Sequence, residues 1–87
     1  MWQIKFTKAA EKDKKLLKQA GLDAKAKKLL NVIASDPFQT PPSYEKLIGD
    51  LKGYYSRRIN IQHRIVYRVY PDLQIVVIHA MWTHYGE

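Results

Sequence analysis

The sequence predicts an α+β domain: an antiparallel-rich sheet, ordered as one strand, two helices and then three or more strands, with the helices packed on one face. Three observations lead there. Apolar residues alternate with period two at the start of the chain, two amphipathic stripes of helical period follow, and β-branched and aromatic runs separated by turn residues fill the second half. At 87 residues, 46% hydrophobic and 26% charged, the chain is sized for a single domain over 1–87 with one modest core.

The first strand is "WQIKF", in which Trp2, Ile4 and Phe6 share one face. Thr7 is a helix N-cap, and the helix it opens runs to about Ala20, where Gly21 stops it. Its predicted buried stripe is Ala9, Leu16, Leu17 and Ala20, with Lys8, Lys12, Lys14, Lys15 and Lys18 facing away. A second helix spans about Leu22–Ala34, with Leu22, Ala26, Leu29, Leu30 and Ile33 on one side; Asp36-Pro37 ends it. The proline-rich "DPFQTPPSY" cannot pair as a central strand, and an irregular loop of that length in so small a domain is often functional. After "EKLIGDLKG" come two hairpin strands, about Tyr54–Asn60 and Arg64–Tyr70, turning near Ile61-Gln62. "LQIVVIHAMW" is the most uniformly apolar strand and is predicted at the sheet centre with both faces covered.

Fifteen Lys and Arg against eight Asp and Glu give a formal charge of +7, which on so small a body calls for a polyanionic partner. Membrane is the weakest choice, because the longest uninterrupted aliphatic run is Ile75 to Ile78 and a span needs about 20 residues. No secretion signal is recognisable, so a cytoplasmic location is expected. The absence of cysteine rules out disulfides and thiolate zinc, and no histidine pair has helical ligand spacing, so neither a metal nor another cofactor is expected.

All four arginines lie in "YYSRRINIQHRIVYRVY", a stretch without one acidic residue to pair with them. Strand alternation puts Arg64, Val66 and Arg68 opposite Ile65, Tyr67 and Val69. With the Ile65 set facing the core, Arg64 and Arg68, joined by Arg58, project from the helix-free face. A guanidinium fork can donate two parallel hydrogen bonds to one phosphate, so these residues point to nucleic acid. The lysines of the helices are as readily explained as solvated charge. Glu45 alone would be a surface glutamate, and His63 and His79 are read as structural. Tyr67 reads as core, and Tyr85 as a base-stacking or catalytic side chain.

The run "YEKLIGDLKGYYSRRINIQHRIVYRVY" with a later His84-Tyr85 resembles the YoeB/Txe group of bacterial toxins, within the RelE-like superfamily, over essentially the whole chain. The resemblance implies a microbial-ribonuclease-like fold and a metal-independent endoribonuclease that cuts mRNA in the ribosomal A site. It also implies a cognate YefM-like antitoxin, with the 70S ribosome and mRNA as the other partners; a homodimer is compatible with it. By position, Glu45 resembles the general base, Arg64 the phosphate-stabilising arginine, His84 the general acid and Tyr85 its neighbouring tyrosine. Arg58, Lys46, Lys52, Arg57 and Arg68 are expected to bind RNA. Two departures stand out: Gly86 and Glu87 follow the His-Tyr pair, and Ile48 replaces a lysine common in the family. The chemistry of RNA fits this set, since cleavage through the 2′-OH needs a base, a cation at the phosphoryl oxygens and an acid for the departing 5′-oxygen. A non-catalytic RNA- or ribosome-binding module using the same basic face is the alternative, and a domain that binds an acidic protein partner is a third.

Overall fold

In the computed structural model, which describes residues 1–82, the opening alternation becomes strand β1 (Gln3–Phe6), with Ile4 and Phe6 turned inward. Helix α1 (Lys8–Gln19) begins where Thr7 Oγ1 accepts the Ala10 N–H at 3.1 Å; the same hydroxyl donates to the His79 carbonyl at 3.3 Å, so the cap also ties the helix to the sheet. Gly21, at φ +74°, takes the left-handed step that lets Leu22 N–H reach back to the Leu17 carbonyl at 2.8 Å. Helix α2 (Asp23–Ser35) follows and ends before Pro37.

The buried stripe of α1 is rotated from its expected position. Ala10 and Leu17 are fully buried, whereas Ala9, Ala20 and Leu16 are exposed. The physical reason is Asp13, which lies between Ala10 and Leu17 on the inward face and accepts the Met81 N–H at 2.9 Å. A polar residue thus belongs to the packed side, and a stripe chosen by hydrophobicity alone slips around it. In α2 the predicted face holds: Ala26 and Ile33 are buried, and Leu22, Leu29 and Leu30 pack against the core.

The remaining strands are β2 (Glu45–Lys46), β3 (Tyr54–Arg58), β4 (Arg64–Tyr70) and β5 (Ile75–Ala80), and the sheet order is β1-β5-β4-β3-β2. Among the described residues, only the β1–β5 pairing is parallel. The arginine hairpin is therefore β3–β4, with Tyr54 opposite Arg68 and Arg58 opposite Arg64. Strand β5 is internal, as its apolar sequence predicts, but β4 holds the centre of five. The expectation that both its faces are covered is corrected: Val76 and Ile78 are buried while Ile75 and Val77 are only half-buried, because helices cover one face alone. Between Val66 and Tyr67 the β4–β5 register shifts by one residue, which places His79 in a bulge on β5.

The helix-side core gathers Ile65, Tyr67, Val76 and Ile78 from the sheet against Leu17, Ala26 and Ile33 from the helices. Ser56, Val66 and Ala80 are also buried yet stand outside that cluster, on the opposite face of the sheet. Among the described residues, no helix is long and apolar enough to cross a membrane.

Candidate active site

The irregular loop after α2 is fixed by a side chain that the sequence suggests for RNA. Arg57 is 1% exposed. Its Nε donates to Tyr67 Oη at 3.0 Å, Nη1 to the Pro42 carbonyl at 2.7 Å, and Nη2 to the carbonyls of Pro37 and Gln39, both at 2.9 Å. Tyr67 Oη donates in turn to the Pro37 carbonyl at 2.8 Å. Burial pushes the Tyr67 hydroxyl above its ordinary pKa, partly offset by the hydrogen bond from Arg57 and its charge. The expectation that Arg57 binds RNA is thereby corrected. Strand alternation turns it to the helix side, where a buried cation is tolerable only with its N–H groups satisfied, and the loop carbonyls do so. Phe38, Tyr44 and Tyr55 close the cluster from outside, with ring centroids 5.2 to 5.9 Å apart. The loop thus delivers Glu45 to the sheet edge in a defined register, opposite Ser56.

On the helix-free face, Glu45 meets Arg64. Arg64 Nη1 donates to Glu45 Oε1 at 3.1 Å and lies 3.4 Å from Ser56 Oγ. The two partners differ sharply in exposure: the Arg64 side chain is 13% exposed and that of Glu45 60%. Arg64 shares its face of the sheet with the buried Ser56, Val66 and Ala80, and its Nε is buried without a hydrogen-bond partner among the described residues. The pair therefore unites an accessible carboxylate with a fixed guanidinium that has donors to spare. An ion pair so exposed contributes at most about 1 kcal/mol, so an incoming phosphate can exchange for the carboxylate.

The other candidates surround this pair. Arg58 is exposed, opposite Arg64 in register, and edges a shallow groove with Lys25 and Lys28 of α2. Arg68 is exposed between the rings of Tyr54 and Tyr70, 5.5 and 5.6 Å from their centroids. Lys46 pairs with Tyr55 and so lies on the other face of β2 from Glu45; together with Lys52 and the 85%-exposed Ile48 it borders a depression at the sheet edge. His84 and Tyr85 lie outside the described residues.

Two histidines read as structural from sequence prove to border the site. His79, in the β5 bulge, packs edge-on against Tyr54 at 4.9 Å, and its Nε2 is the second buried side-chain atom without a partner among the described residues. Burial, with Arg68 adding to it, holds its imidazole below the usual histidine pKa. His63, beside Arg64, donates from Nδ1 to the Trp82 carbonyl. No sequence signal separates these from ordinary core histidines, because the bulge and the turn that place them are tertiary. Among the described residues, no group of three or more His, Cys, Asp or Glu is placed to hold a metal.

A layered sheet of this order, with a basic, helix-free face, defines the RelE-like toxin fold, and comparison with known proteins agrees. The model of the YoeB-like toxins of bacterial type II toxin–antitoxin systems matches residues 2–85, and the chain belongs to that family. Toxin YoeB of Streptomyces coelicolor is 42% identical over 76 residues, which is 87% of this chain and 81% of that protein. The YoeB/ParE toxin from Agrobacterium tumefaciens superposes with a TM-score of 0.86 at 30% identity, covering 95% of this chain and 99% of that one. The toxin in the heterotetrameric YoeB–YefM complex from Staphylococcus aureus gives 0.80 at 34% identity, with 98% and 99% covered.

Proposed function

We propose that this protein is the toxin of a type II toxin–antitoxin pair and acts as a ribosome-dependent mRNA endoribonuclease, cutting in the A site and so arresting translation. The observation that carries the reading is the Glu45–Arg64 pair, an exposed carboxylate held 3.1 Å from a fixed guanidinium on the open basic face. The resemblance of His84-Tyr85 to the family's pattern supports adding these two residues to the set.

In this reading the substrate phosphate takes over Arg64, freeing Glu45 to accept the 2′-OH proton. The 2′-oxygen attacks phosphorus and the P–O5′ bond breaks. Arg64 stabilises charge on the non-bridging oxygens, and His84 gives a proton to the departing 5′-oxygen, with Tyr85 beside it. No metal takes part. Glutamate is a weak base at its reference pKa of about 4.3, so orientation of the mRNA by the ribosome is needed to make the step fast. Arg58 and Arg68, with Lys46 and Lys52, hold flanking RNA phosphates. A YefM-like antitoxin, of the kind present in the Staphylococcus aureus complex, is the cognate partner, and both act in the cytoplasm.

End-group analysis of mRNA cut on programmed ribosomes tests the mechanism. The upstream fragment is expected to end in a 2′,3′-cyclic phosphate or its 3′-phosphate product, and the downstream fragment to begin with a 5′-hydroxyl. Chelation that leaves the ribosome assembled is expected not to stop the reaction. A 5′-phosphate with a 3′-hydroxyl overturns the mechanism, and ribosome binding without cleavage favours the non-catalytic module.

A further inference from the structure

Beyond Arg64, strand β4 carries a second cation on the same open face. Arg68 stands four residues along, about 13 Å from Arg64 at the rise of a strand. It is exposed, and the two ion pairs among the described residues, Glu11–Lys14 and Glu45–Arg64, leave it without a carboxylate. Its guanidinium carbon instead lies 5.5 Å from the ring centroid of Tyr54 and 5.6 Å from that of Tyr70. Tyr54 is opposite Arg68 in the β3–β4 register, and His79 braces it edge-on at 4.9 Å. Neither Tyr54 nor Tyr70 belongs to the core cluster that takes in Tyr55 and Tyr67.

Just past Tyr70 the chain turns through a short 3₁₀ helix, Pro71–Leu73. The turn leaves a hollow of about 210 Å³ beside Arg68, bounded by Tyr70, Pro71, Asp72 and Leu73. Cross-strand packing accounts for the directly paired Tyr54 and Arg68. It does not account for Tyr70 and Leu73, which lie beyond the last β3 pair and are 36% and 67% exposed. The chemistry of the hollow selects its occupant. One cation, one carboxylate and an apolar floor do not suit a run of phosphates, which the carboxylate would repel. They suit one unpaired nucleotide: its base offers a flat face to stack and N–H groups at the edge to donate, while its phosphate reaches the guanidinium.

We propose that Arg68, Tyr70 and Asp72 form a subsite for an mRNA nucleotide flanking the cleaved bond: Tyr70 stacks the base, Arg68 holds the phosphate, and Asp72 accepts from the base edge. Tyr54, braced by His79, is a positioning residue that aims Arg68. The inference rests on the proposed cleavage of mRNA at Arg64. A carboxylate acceptor favours a base with an exocyclic amino group over uracil.

The test uses the full-length toxin and ribosomes programmed with mRNA that carries a 2′-O-methyl group at the A-site cleavage position, so that binding is read without cutting. Single abasic nucleotides are placed in turn along the A-site codon and its neighbours. In the parent, one position is expected to weaken binding in sedimentation by about 5- to 100-fold, the usual loss of one stacked base. At that position Tyr70→Ala is expected to bind intact and abasic mRNA alike, Tyr70→Phe to behave as the parent, and Arg68→Gln to bind both more weakly. With cytosine or uracil there, the parent is expected to favour cytosine and Asp72→Ala to bind both alike; equal affinities in the parent remove Asp72 from the subsite. A flat abasic scan in the parent overturns the subsite, and so does a Tyr70→Ala variant as sensitive to the abasic position as the parent. If Tyr70→Ala binds the abasic ribosomes more weakly than the parent does, the surface belongs to ribosomal RNA and the mRNA subsite is wrong. Losses in Tyr70→Ala that follow a fall in melting temperature make the ring structural and overturn it too. Cleavage of unmodified mRNA is measured alongside. A parent that cuts but gives a flat scan loses the subsite alone, whereas one that shows the abasic position without cutting loses the nuclease reading alone.

Discussion

Arg64 and His79 show how much a single environment decides. The Arg64 side chain is mostly buried on the sheet and directs its Nη1 to the exposed Glu45 carboxylate. Arg64→Ala is expected to lower single-turnover cleavage of ribosome-bound mRNA by about 10²- to 10³-fold, the usual effect of removing one preorganised donor, with little loss of ribosome binding in sedimentation. Arg64→Lys should recover only part of the loss, because an ammonium is a point charge where a planar fork is needed. Equal losses of binding and cleavage would assign Arg64 to docking. For His79 the expected effect is on stability. Its pKa lies below the reference value because burial, reinforced by Arg68, disfavours the imidazolium. The unfolded chain protonates near pH 6.5 and the folded chain only lower, so the contribution is complete above about pH 6.5 and is lost as pH falls from there through the folded pKa. Urea midpoints measured between neutral and mildly acidic pH should therefore decline less in His79→Gln than in the parent. Parallel declines would show that His79 is not the group responsible.

Among the elements, the loop 36–44 carries the sharpest lesson. It has no regular structure, yet its carbonyls are bound by one buried arginine and one buried tyrosine, and Glu45 is the first residue after it to join the sheet. Tyr67→Phe deletes the hydroxyl that accepts from Arg57 and donates to Pro37, leaving both without that partner. The expected cost is about 1 to 3 kcal/mol, read as a lower urea midpoint at unchanged slope. If the clasp also governs Glu45, cleavage at saturating ribosomes should fall under conditions where the variant is still fully folded. A stability loss with full activity would confine Arg57 and Tyr67 to the fold.

For the whole molecule, charge is the organising quantity. The cations behind the net +7 fall mainly on the lysines of the helices and the arginines of the hairpin, and these two sets are expected to behave differently. Loss of one docking lysine should weaken ribosome binding modestly and reduce its salt slope by about 0.7 to 0.9 for each phosphate contact removed, whereas Arg64→Ala should act chiefly on the chemical step. The antitoxin is expected to lay an acidic segment over the face of Arg58 and Arg64, because a disordered acidic chain can wrap and neutralise such a surface. Hydrogen exchange on the purified pair should show protection at Ser56 and Val66, which share a face of the sheet with Arg64. A complex in which that face exchanges as in the free toxin would place the antitoxin elsewhere.

By itself the sequence determined the α+β class, the order of strand, helix pair and hairpin, and the β4 bounds, because period-two and helical patterning are local. Only the tertiary structure decided four other matters. It made β2, whose two residues are too short to show a period, and it set β1 parallel to β5 across most of the chain's length. It rotated the α1 stripe around Asp13, and it divided the adjacent arginines, turning Arg57 into the interior and Arg58 toward solvent. The last two share a physical reason: each depends on which inward-facing polar group finds a partner, and those partners lie far off in sequence, Met81 for Asp13 and the loop carbonyls for Arg57. Hydrophobic periodicity says which face turns inward, but the pairing of buried polar groups is settled only when distant segments meet.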